Sequence, residues 1–290
     1  MFAPLNPPLP DWKDARVWVI GASTGIGAAT ARKLLAMGAR VAISARSADK
    51  LRDLAADSLA AGRAAVEPLD VTDDREVHAA WERVRARWNG IDLVLIVAGT
   101  HEEIRAWDLT AAKARALIDV NLTGAISVVA AVVPALLERR RGAIALVSSV
   151  AGYRGLPRAL VYGPTKAALI NFAEALWLDL APCGIGVHVI NPGFVKTPLT
   201  GRNDFPMPHL IDAETAAGEI LAGLERREFE IHFPRAFTRT LKLLRLLPYR
   251  LYFAAIRRAT GIAVHRPPAR DAGPGDPPSE LPPSTPTDTR

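Results

Sequence analysis

Cysteine is almost absent from the sequence: Cys183 is the single one among 290 residues. A lone thiol forms neither an internal disulfide framework nor a thiolate cluster for zinc, so a disulfide-stapled secreted fold is excluded. The six histidines are scattered without a His-x-x-x-His pair, and no metal site is predicted. Hydrophobic residues make up 49% of the chain, enough for the core of one large globular domain.

Long uncharged apolar runs are also lacking. No run reaches the roughly 20 residues that a membrane-spanning helix requires. The N-terminal stretch MFAPLNPPLPDW has neither the charged region nor the apolar region of a signal peptide. We therefore expect a cytoplasmic protein.

Acidic residues are missing from one late segment. Residues 231–270 hold nine Arg or Lys and no Asp or Glu, whereas residues 1–230 hold 26 basic and 26 acidic side chains. Within residues 234–258 the basic side chains recur every three or four positions beside apolar ones. This spacing predicts a cationic amphipathic helix, with Pro248 starting a second one.

Two environments suit such a helix. Its apolar face can lie among the headgroups of a membrane surface, or it can pack on the domain or on a second subunit while the arginines stay in water. Both alternatives stay open. No nucleic acid partner is predicted, because no aromatic stacking platform or binding motif accompanies the charge.

Between residues 15 and 233, short β-branched runs alternate with longer amphipathic stretches, which is the pattern of strands and helices on a parallel sheet. The predicted strands are 17–20, 41–44, 64–68, 93–98, 143–148, 187–190 and 229–233. They predict an α/β fold with a doubly wound, seven-stranded parallel sheet and helices on both faces. Ligands of such folds bind at the carboxyl ends of the strands.

The chain divides into four predicted regions. They are an N-terminal lead (1–14), the α/β domain (15–233), the basic helical extension (234–266) and a C-terminal tail (267–290). The tail is dense in proline and small polar residues, which cannot bury enough surface to offset the entropy of ordering. We therefore expect the tail to be disordered.

A glycine-rich stretch, GASTGIG (21–27), follows the first predicted strand and opens a helical pattern. Such a turn lets the backbone approach a pyrophosphate, whose charge is stabilised by free N–H groups at the start of the helix. The spacing is not that of a nucleotide triphosphatase loop. The glycines alone are a weak signal, since tight turns also use glycine for steric reasons.

Tyr162 and Lys166 stand four residues apart in the stretch ALVYGPTK. On a helix they share one face, and a nearby cation favours the phenolate. An isolated pair of this kind is more often a packed tyrosine beside a solvated lysine. Its chemistry therefore depends on the motifs that accompany it.

Taken together, these motifs resemble the short-chain dehydrogenase/reductase family. GASTGIG resembles the family's cofactor loop, VYGPTK its Tyr-x-x-x-Lys pair and VSSVAG its serine. The stretches LDV, DVNLTG and NPGFVKT follow in the family's order. The resemblance covers about residues 15–233. It implies a Rossmann-type fold, a nicotinamide cofactor, hydride transfer between a ketone and a secondary alcohol, and assembly into a homo-oligomer.

The resemblance implies a catalytic set of Asn121, Ser149, Tyr162 and Lys166. Tyr162 would donate or accept the proton, with its pKa lowered by Lys166, which would also hold the nicotinamide ribose. Ser149 would stabilise charge on the substrate oxygen. Asn121 would link Lys166 to water through a distortion in its helix, or else it satisfies local backbone groups as an ordinary helix-interrupting residue.

The resemblance also implies which residues contact the dinucleotide. They are Gly21, Ser23, Thr24, Gly25, Ile26, Gly27, Arg46, Asp70, Val71, Ala98, Gly99, Tyr162, Lys166, Pro192, Gly193, Val195 and Thr197.

The end of the second predicted strand bears on the choice of cofactor. An acidic residue there would favour NAD, but the chain has Ala45 and then Arg46, flanked by Ser44 and Ser47. Arginine can bind a 2′-phosphate through two hydrogen bonds and the serines can add donors, so NADP(H) is favoured. NAD(H) stays open, because Arg46 can instead be a loop residue that stacks on adenine.

One departure from the family pattern lies at the end of the fourth predicted strand. It reads IVAG (96–99) where the family usually shows Asn-Asn-Ala-Gly. Val97 cannot make the side-chain hydrogen bonds of asparagine. Gly99 is retained, so we expect cofactor binding to survive with a different local polar network.

The segment after NPGFVKT indicates the substrate class. An apolar lid is predicted from Phe194, Phe205, Met207 and Leu210. We therefore predict an NAD(P)-dependent oxidoreductase that interconverts a ketone and a secondary alcohol, in the NADPH-dependent reductive direction on an apolar or lipid-like molecule. The alternative is a non-catalytic dinucleotide-binding sensor or scaffold protein with the same fold.

Overall fold

The computed structural model describes residues 3–202 and 206–261. Its β-strands are β1 (Arg16–Ile20), β2 (Arg40–Ser44), β3 (Ala64–Val66), β4 (Leu93–Ile96), β5 (Ala143–Val147), β6 (Gly186–Pro192), β7 (Val195–Lys196), β8 (Ile211–Asp212) and β9 (Glu230–Phe233). Its α-helices are α1 (Gly25–Ala36), α2 (Ala48–Ala60), α3 (Asp74–Arg87), α4 (Ala111–Ile118), α5 (Gly124–Arg139), α6 (Tyr162–Leu180), α7 (Ala213–Glu225), α8 (Arg235–Arg245) and α9 (Tyr249–Thr260).

Seven strands form one parallel sheet in the order β3-β2-β1-β4-β5-β6-β9. The chain moves outward from β1 to β3 and then returns to β4 on the other side of β1. This reversal opens a crevice at the carboxyl ends of β1 and β4, where ligands of such sheets bind. The predicted doubly wound sheet is confirmed. The short strands β7 and β8 pair separately and were not predicted.

Alternate residues of each strand pack into two core layers, one on each face of the sheet, because successive side chains of a strand point to opposite faces. Val17 and Val19 pack towards α1, α2 and α7, whereas Trp18 and Ile20 pack towards α3, α5 and α6. The strands are buried on both faces, which explains their continuous apolar sequences. Trp18 also stacks on Trp81 of α3, with the ring centroids 5.8 Å apart.

The helical stretch Ala111–Arg139 comprises α4, α5 and the turn between them. By length and composition alone it is apolar enough to cross a membrane. A helix that packs in a protein core passes the same test. Val128, Val132 and Leu136 of α5 are buried in the core layer that faces α3 and α6, so packing accounts for part of this composition.

Both predicted flanking regions contact the α/β unit. In the lead, the amide side chain of Asn6 bonds the carbonyl and the N–H of Val187 in β6, and Trp12 donates to Glu225. In the extension, Phe237 and Leu241 of α8 pack on the core. Phe205, residues 262–266 of the extension and the predicted tail 267–290 lie outside the described residues.

A buried ion pair joins the amino ends of β1 and β4. Arg16 donates from its guanidinium and its backbone N–H to the carboxylate of Asp92, which is 5% exposed. Arg139 of α5 approaches the same carboxylate at 3.4 Å. Burial raises the pKa of Asp92, but the hydrogen bonds from Arg16 outweigh burial and hold that pKa below its ordinary value.

We predict that Asp92→Ala lowers the free energy of unfolding by about 3 kcal/mol, because it leaves two arginines without their buried partner. Urea denaturation at neutral pH measures this. Since the folded-state pKa of Asp92 is depressed, its contribution is present above its ordinary pKa of about 3.9 and is lost as the pH falls further. Glu82→Ala, which breaks an exposed pair with Arg85, is the control; equal losses in both variants would contradict the prediction.

Candidate active site

A cleft of about 630 Å³ lies at the carboxyl ends of the central strands. All of the predicted dinucleotide-contacting residues except Gly27 line it. Gly27 lies behind the loop, where a Cβ atom would stand 2.3 Å from the carbonyl oxygen of Gly21. Glycine at this position therefore serves close packing of α1 against β1.

The start of α1 faces the cleft with its backbone donors available. Thr24 is the N-cap residue of α1, but its side chain makes no capping hydrogen bond, and the first turn contains no acidic residue. The first N–H groups of a helix have no intrahelical partner and carry partial positive charge. They therefore suit an anion such as the pyrophosphate of a dinucleotide.

Tyr162 and Lys166 lie on the first turn and a half of α6, on the face that lines the cleft. The Lys166 Nζ atom is 5.7 Å from the centre of the Tyr162 ring and donates to the carbonyl of Val147 at 3.0 Å. Ser149 follows β5 and lines the same cleft, and its hydroxyl is near enough to Tyr162 to oppose the rise in the pKa of that residue. The structure thus brings Ser149, Tyr162 and Lys166 to one place.

Burial shifts both titratable groups towards their neutral forms. Burial raises the pKa of the Tyr162 hydroxyl, and the hydrogen bond with Ser149 opposes this shift. Burial lowers the pKa of Lys166 to about 8. The nearby Lys166 predicted a lowered pKa for Tyr162, and the direction in the structure is opposite. The reason is that desolvation of a buried phenol disfavours the phenolate.

Asn121 lies behind the cleft and is fully buried. The helix is distorted at this point: residues Asp119–Thr123 form a π-helical turn between α4 and α5. The side chain of Asn121 accepts from the N–H of Thr100 at 2.7 Å and donates to its carbonyl at 2.9 Å. It also lies 3.3 Å from the hydroxyl of Thr165, so it ties the end of β4 to α6.

The adenosine end of the cleft is basic. Ala45, Arg46, Ser47 and Lys50 line it. Lys50, in the first turn of α2, was not predicted, because Arg46 precedes the helix and no helical spacing relates the two residues. Ser44 does not face the cleft, which corrects its predicted role as a donor: it is fully buried and accepts a hydrogen bond from Trp18.

Comparison with known proteins identifies the family. The model of the short chain dehydrogenase family matches residues 15–205. The chain belongs to the short-chain dehydrogenase family. An uncharacterized oxidoreductase of Myxococcus xanthus is 39% identical over 243 residues, which cover 83% of this chain and 95% of the relative.

Two solved structures of similar fold support the same assignment. A short-chain dehydrogenase from Streptomyces avermitilis is 25% identical, with a TM-score of 0.72 over 86% of this chain and 98% of that one. A variant of actinorhodin polyketide ketoreductase, solved with NADPH, is 26% identical, with a TM-score of 0.69 over 76% and 96% of the two chains. This short-chain dehydrogenase family member is an oxidoreductase acting on CH–OH or C=O groups.

The departure from the family pattern at Val97 is accommodated by the backbone of this short-chain dehydrogenase. The N–H groups of Val97 and Ala98 both donate to the carbonyl of Ile20, at 2.8 and 2.9 Å. Gly21, with φ of +92°, passes so near that a Cβ atom would lie 2.5 Å from the nitrogen of Ala98. Main-chain contacts therefore hold β1 and β4 together without an asparagine side chain.

Of the predicted apolar lid, the structure describes Phe194, Met207 and Leu210, and none of the three is among the residues that line the cleft. Phe194 packs on Phe237 of α8, with the ring centroids 5.7 Å apart. Its apolar character is therefore explained in part by packing against the C-terminal extension. Leu210 is 43% exposed. Val195, Thr197 and Leu199 from the same region line the cleft.

His101 contacts the candidate active site and was not predicted from the sequence. Its ring meets the ring of Tyr162 edge to face, with the centroids 4.7 Å apart. Burial lowers the pKa of His101, which favours the neutral imidazole. No motif marks this position, since only the folding of the loop after β4 against α6 places it beside Tyr162.

We predict that Gly25→Ala weakens NADPH binding about tenfold, as measured by NADPH fluorescence, while the fold is kept. Gly25 has φ of +57°, and a Cβ atom would lie 2.9 Å from the methyl group of Thr197. Relief of this close contact displaces the loop whose N–H groups suit the pyrophosphate, and a tenfold loss corresponds to about 1.4 kcal/mol. Gly62→Ala has similar strain in open space and is the matched control. Equal NADPH affinity in both variants would contradict this prediction.

Proposed function

We propose that this chain reduces a ketone to a secondary alcohol with NADPH. The convergence of Ser149, Tyr162 and Lys166 at one end of a cleft lined by the dinucleotide-loop residues supports this proposal. When bound, the nicotinamide cofactor supplies the hydride. The protein then has to orient the substrate carbonyl and deliver one proton.

Tyr162 is the proposed proton donor. Its raised pKa keeps the hydroxyl protonated at neutral pH, which is the form that reduction requires. Ser149 donates a hydrogen bond to the substrate oxygen and stabilises charge that develops there. With a pKa of about 8, Lys166 stays mostly protonated at neutral pH, so its charge favours the phenolate that remains after proton transfer.

Asn121 is proposed to position Lys166 rather than to meet the substrate. Its side chain is satisfied by Thr100 and Thr165, and the π-helical turn around it frees local backbone groups. A water held by that backbone would connect Lys166 to solvent for reprotonation, as the family resemblance implies.

We predict that Tyr162→Phe lowers the turnover of a ketone series by about 10²- to 10⁴-fold, because the general acid is lost. NADPH oxidation with 2-butanone, 2-octanone and 2-dodecanone measures turnover, and NADPH fluorescence measures binding, which should be unchanged. Tyr249→Phe, on an exposed tyrosine, is the control. Turnover retained by Tyr162→Phe would remove Tyr162 from the mechanism.

NADPH binding by the wild type without turnover of any ketone or alcohol would favour the sensor or scaffold alternative.

We base the proposed preference for NADPH over NADH on the basic residues at the end of the cleft where the adenosine would bind. Arg46 and Lys50 both line the cleft there, and Ser47 adds a hydroxyl. Asp70 is the one acidic side chain among the described residues that line the cleft, and Arg46 lies near enough to help lower its pKa. A 2′-phosphate carries negative charge, which two cations stabilise through charge-assisted hydrogen bonds.

We predict that Arg46→Ala and Lys50→Ala each weaken NADPH binding about tenfold and leave NADH binding unchanged. A hydrogen bond to a charged group contributes about 1.5–3 kcal/mol. NADH lacks the 2′-phosphate, so its binding does not depend on these hydrogen bonds. Titrations of both dinucleotides measure this. Arg63→Ala, an exposed arginine away from the cleft, is the control. Equal weakening of NADPH and NADH would contradict the assigned phosphate site.

An apolar or lipid-like substrate is proposed from the walls beside the catalytic groups. Val97, Val120, Val147, Val195 and Leu199 line the cleft that holds the catalytic groups. Apolar walls favour a ketone with hydrocarbon substituents, since burial of each CH₂ contributes about 0.8 kcal/mol. Turnover efficiency should therefore rise along the series from 2-butanone to 2-dodecanone.

We also propose a cytoplasmic homo-oligomer. Large apolar side chains are exposed on the outward faces of α5 and α6, namely Ile126, Leu137 and Leu178. Burial of such groups against a second copy of the chain would remove them from water.

Peripheral contact with a membrane through residues 234–258 is a further part of the proposal. The inner face of α8 packs on the domain, but Leu243, Leu246, Tyr249, Leu251 and Phe253 are each more than half exposed. Within the described residues 231–261 there is no acidic side chain. An exposed apolar surface flanked by cations matches an anionic lipid surface.

We predict that the full chain cosediments with phosphatidylglycerol-containing vesicles at low salt and much less at high salt or with pure phosphatidylcholine, because salt screens the arginines. Leu246→Glu with Phe253→Glu should abolish binding. Met37→Glu with Leu109→Glu, which alters exposed apolar residues elsewhere, should not. No sedimentation of the wild type with anionic vesicles would overturn the membrane proposal.

A further inference from the structure

The segment that follows Ser149 is held by the C-terminal helices. Residues Tyr153–Gly155 lie between the catalytic serine and the helix α6, and each of the three residues contacts the extension or the strand before it. These contacts join positions that are about 90 residues apart in the chain. The extension is therefore attached to the active-site segment, not only to the sheet.

Arg154 makes the densest of these contacts. Its Nη1 atom donates to the carbonyls of Leu244, Arg245 and Leu247, at 3.3, 3.0 and 2.6 Å. These carbonyls belong to the C-terminal end of α8, where a cation is favoured by the helix dipole. The guanidinium also lies 4.0 Å from the ring centre of Tyr252 and 4.8 Å from that of Tyr249. Arg154 thus fixes the junction of α8 and α9.

The neighbours of Arg154 are fixed in the same way. The hydroxyl of Tyr252, a residue only 3% exposed, donates to the carbonyl of Gly155 at 2.8 Å. The hydroxyl of Tyr153 donates to Glu230 at 2.6 Å, and Lys242 of α8 reaches the other oxygen of Glu230 at 2.5 Å. Two further attachments therefore flank the arginine.

The other end of this segment meets the catalytic residues directly. The N–H of Ala151 donates to the Ser149 hydroxyl at 3.1 Å. Gly152 lies against the backbone of α6, where a Cβ atom would stand 2.7 Å from the carbonyl carbon of Lys166. Residues Val150–Gly152 form one short turn between these contacts and Arg154. Four residues, Val150–Tyr153, therefore separate Arg154 from Ser149 along the chain.

We propose that the C-terminal helices complete the active site, with Arg154 as a positioning residue that sets the Ser149 hydroxyl through the turn 150–152. The proposal rests on the proposed function in one respect, that Ser149 acts on the substrate oxygen. Arg154 touches neither substrate nor cofactor in this scheme. Its effect passes through Ser149.

The test is a double-mutant cycle on the full chain. Arg154→Ala should lower kcat about tenfold with the fastest member of the series 2-butanone, 2-octanone and 2-dodecanone, since a small misplacement of a catalytic group is costly. NADPH affinity should be unchanged. In a Ser149→Ala background the same change should have no further effect on kcat, because the group it positions is already absent. Independent, additive losses would overturn the proposal.

Three further variants separate positioning from general destabilisation. Arg250→Ala removes an exposed arginine from the same helix pair and should leave kcat unchanged. Tyr252→Phe keeps the ring and removes only the hydrogen bond to Gly155, so it should lower kcat less than Arg154→Ala. Arg154→Lys keeps the charge but not the planar stacking, and it should restore kcat only partly. A full kcat in both Tyr252→Phe and Arg154→Ala would overturn the proposal.

Hydrogen exchange distinguishes failure of this proposal from failure of the proposed function. Amides of residues 150–152 should exchange faster in Arg154→Ala than in Arg250→Ala, whether or not a ketone is turned over. If no ketone is turned over by the wild type, the proposed function fails while this measurement still decides the attachment. Equal exchange in the two variants would overturn the inference.

Discussion

Ser148 donates its hydroxyl to the carbonyl of Lys166 at 2.7 Å, and the Lys166 ammonium donates back to the carbonyl of Val147 at 3.0 Å. These two bonds attach the start of α6 to the end of β5. Lys166 is 4% exposed, so its charge depends on such partners. Because Tyr162 lies one turn earlier on the same helix, this attachment also decides where the phenol lies relative to Ser149.

The cleft itself follows from the order of the strands. The chain reverses between β3 and β4, so the loops after β1 and β4 diverge and leave space between them. Close main-chain packing holds the two strands together at this point, through the contact of Gly21 with Ala98. Residues of the dinucleotide loop and of the catalytic helix thereby line one cavity.

The C-terminal helices have two different apolar faces. Phe237 and Leu241 of α8 pack on the domain, while Leu246 and Phe253 face water. The sequence left open whether this segment docks on the protein or on a membrane. The inner face docks on the protein. The outer face is the part available to a partner, and the contacts of Arg154 place the same helices beside the catalytic segment.

The sequence by itself determined the sheet, the order of the motifs and most of the cleft lining. Strand patterns and glycine turns are local properties, since they depend on side-chain alternation and on permitted backbone angles. The ends of β3 and β4 fall two residues earlier than predicted, at Val66 and Ile96, because the segments beyond them leave the sheet to form the cleft.

Only the tertiary structure decided the remaining features. Ser44 was predicted to donate to a ligand, but its hydroxyl is buried in the core and accepts a hydrogen bond from Trp18. His101 belongs to no recognisable motif, yet its ring packs against the ring of Tyr162. The direction of the Tyr162 pKa shift was set by burial, which no local pattern reports. Arg154 and Leu247 are 93 residues apart in sequence. Contacts between residues so far apart depend on how separate helices and strands pack. The spacing of apolar residues in a single sequence does not predict them.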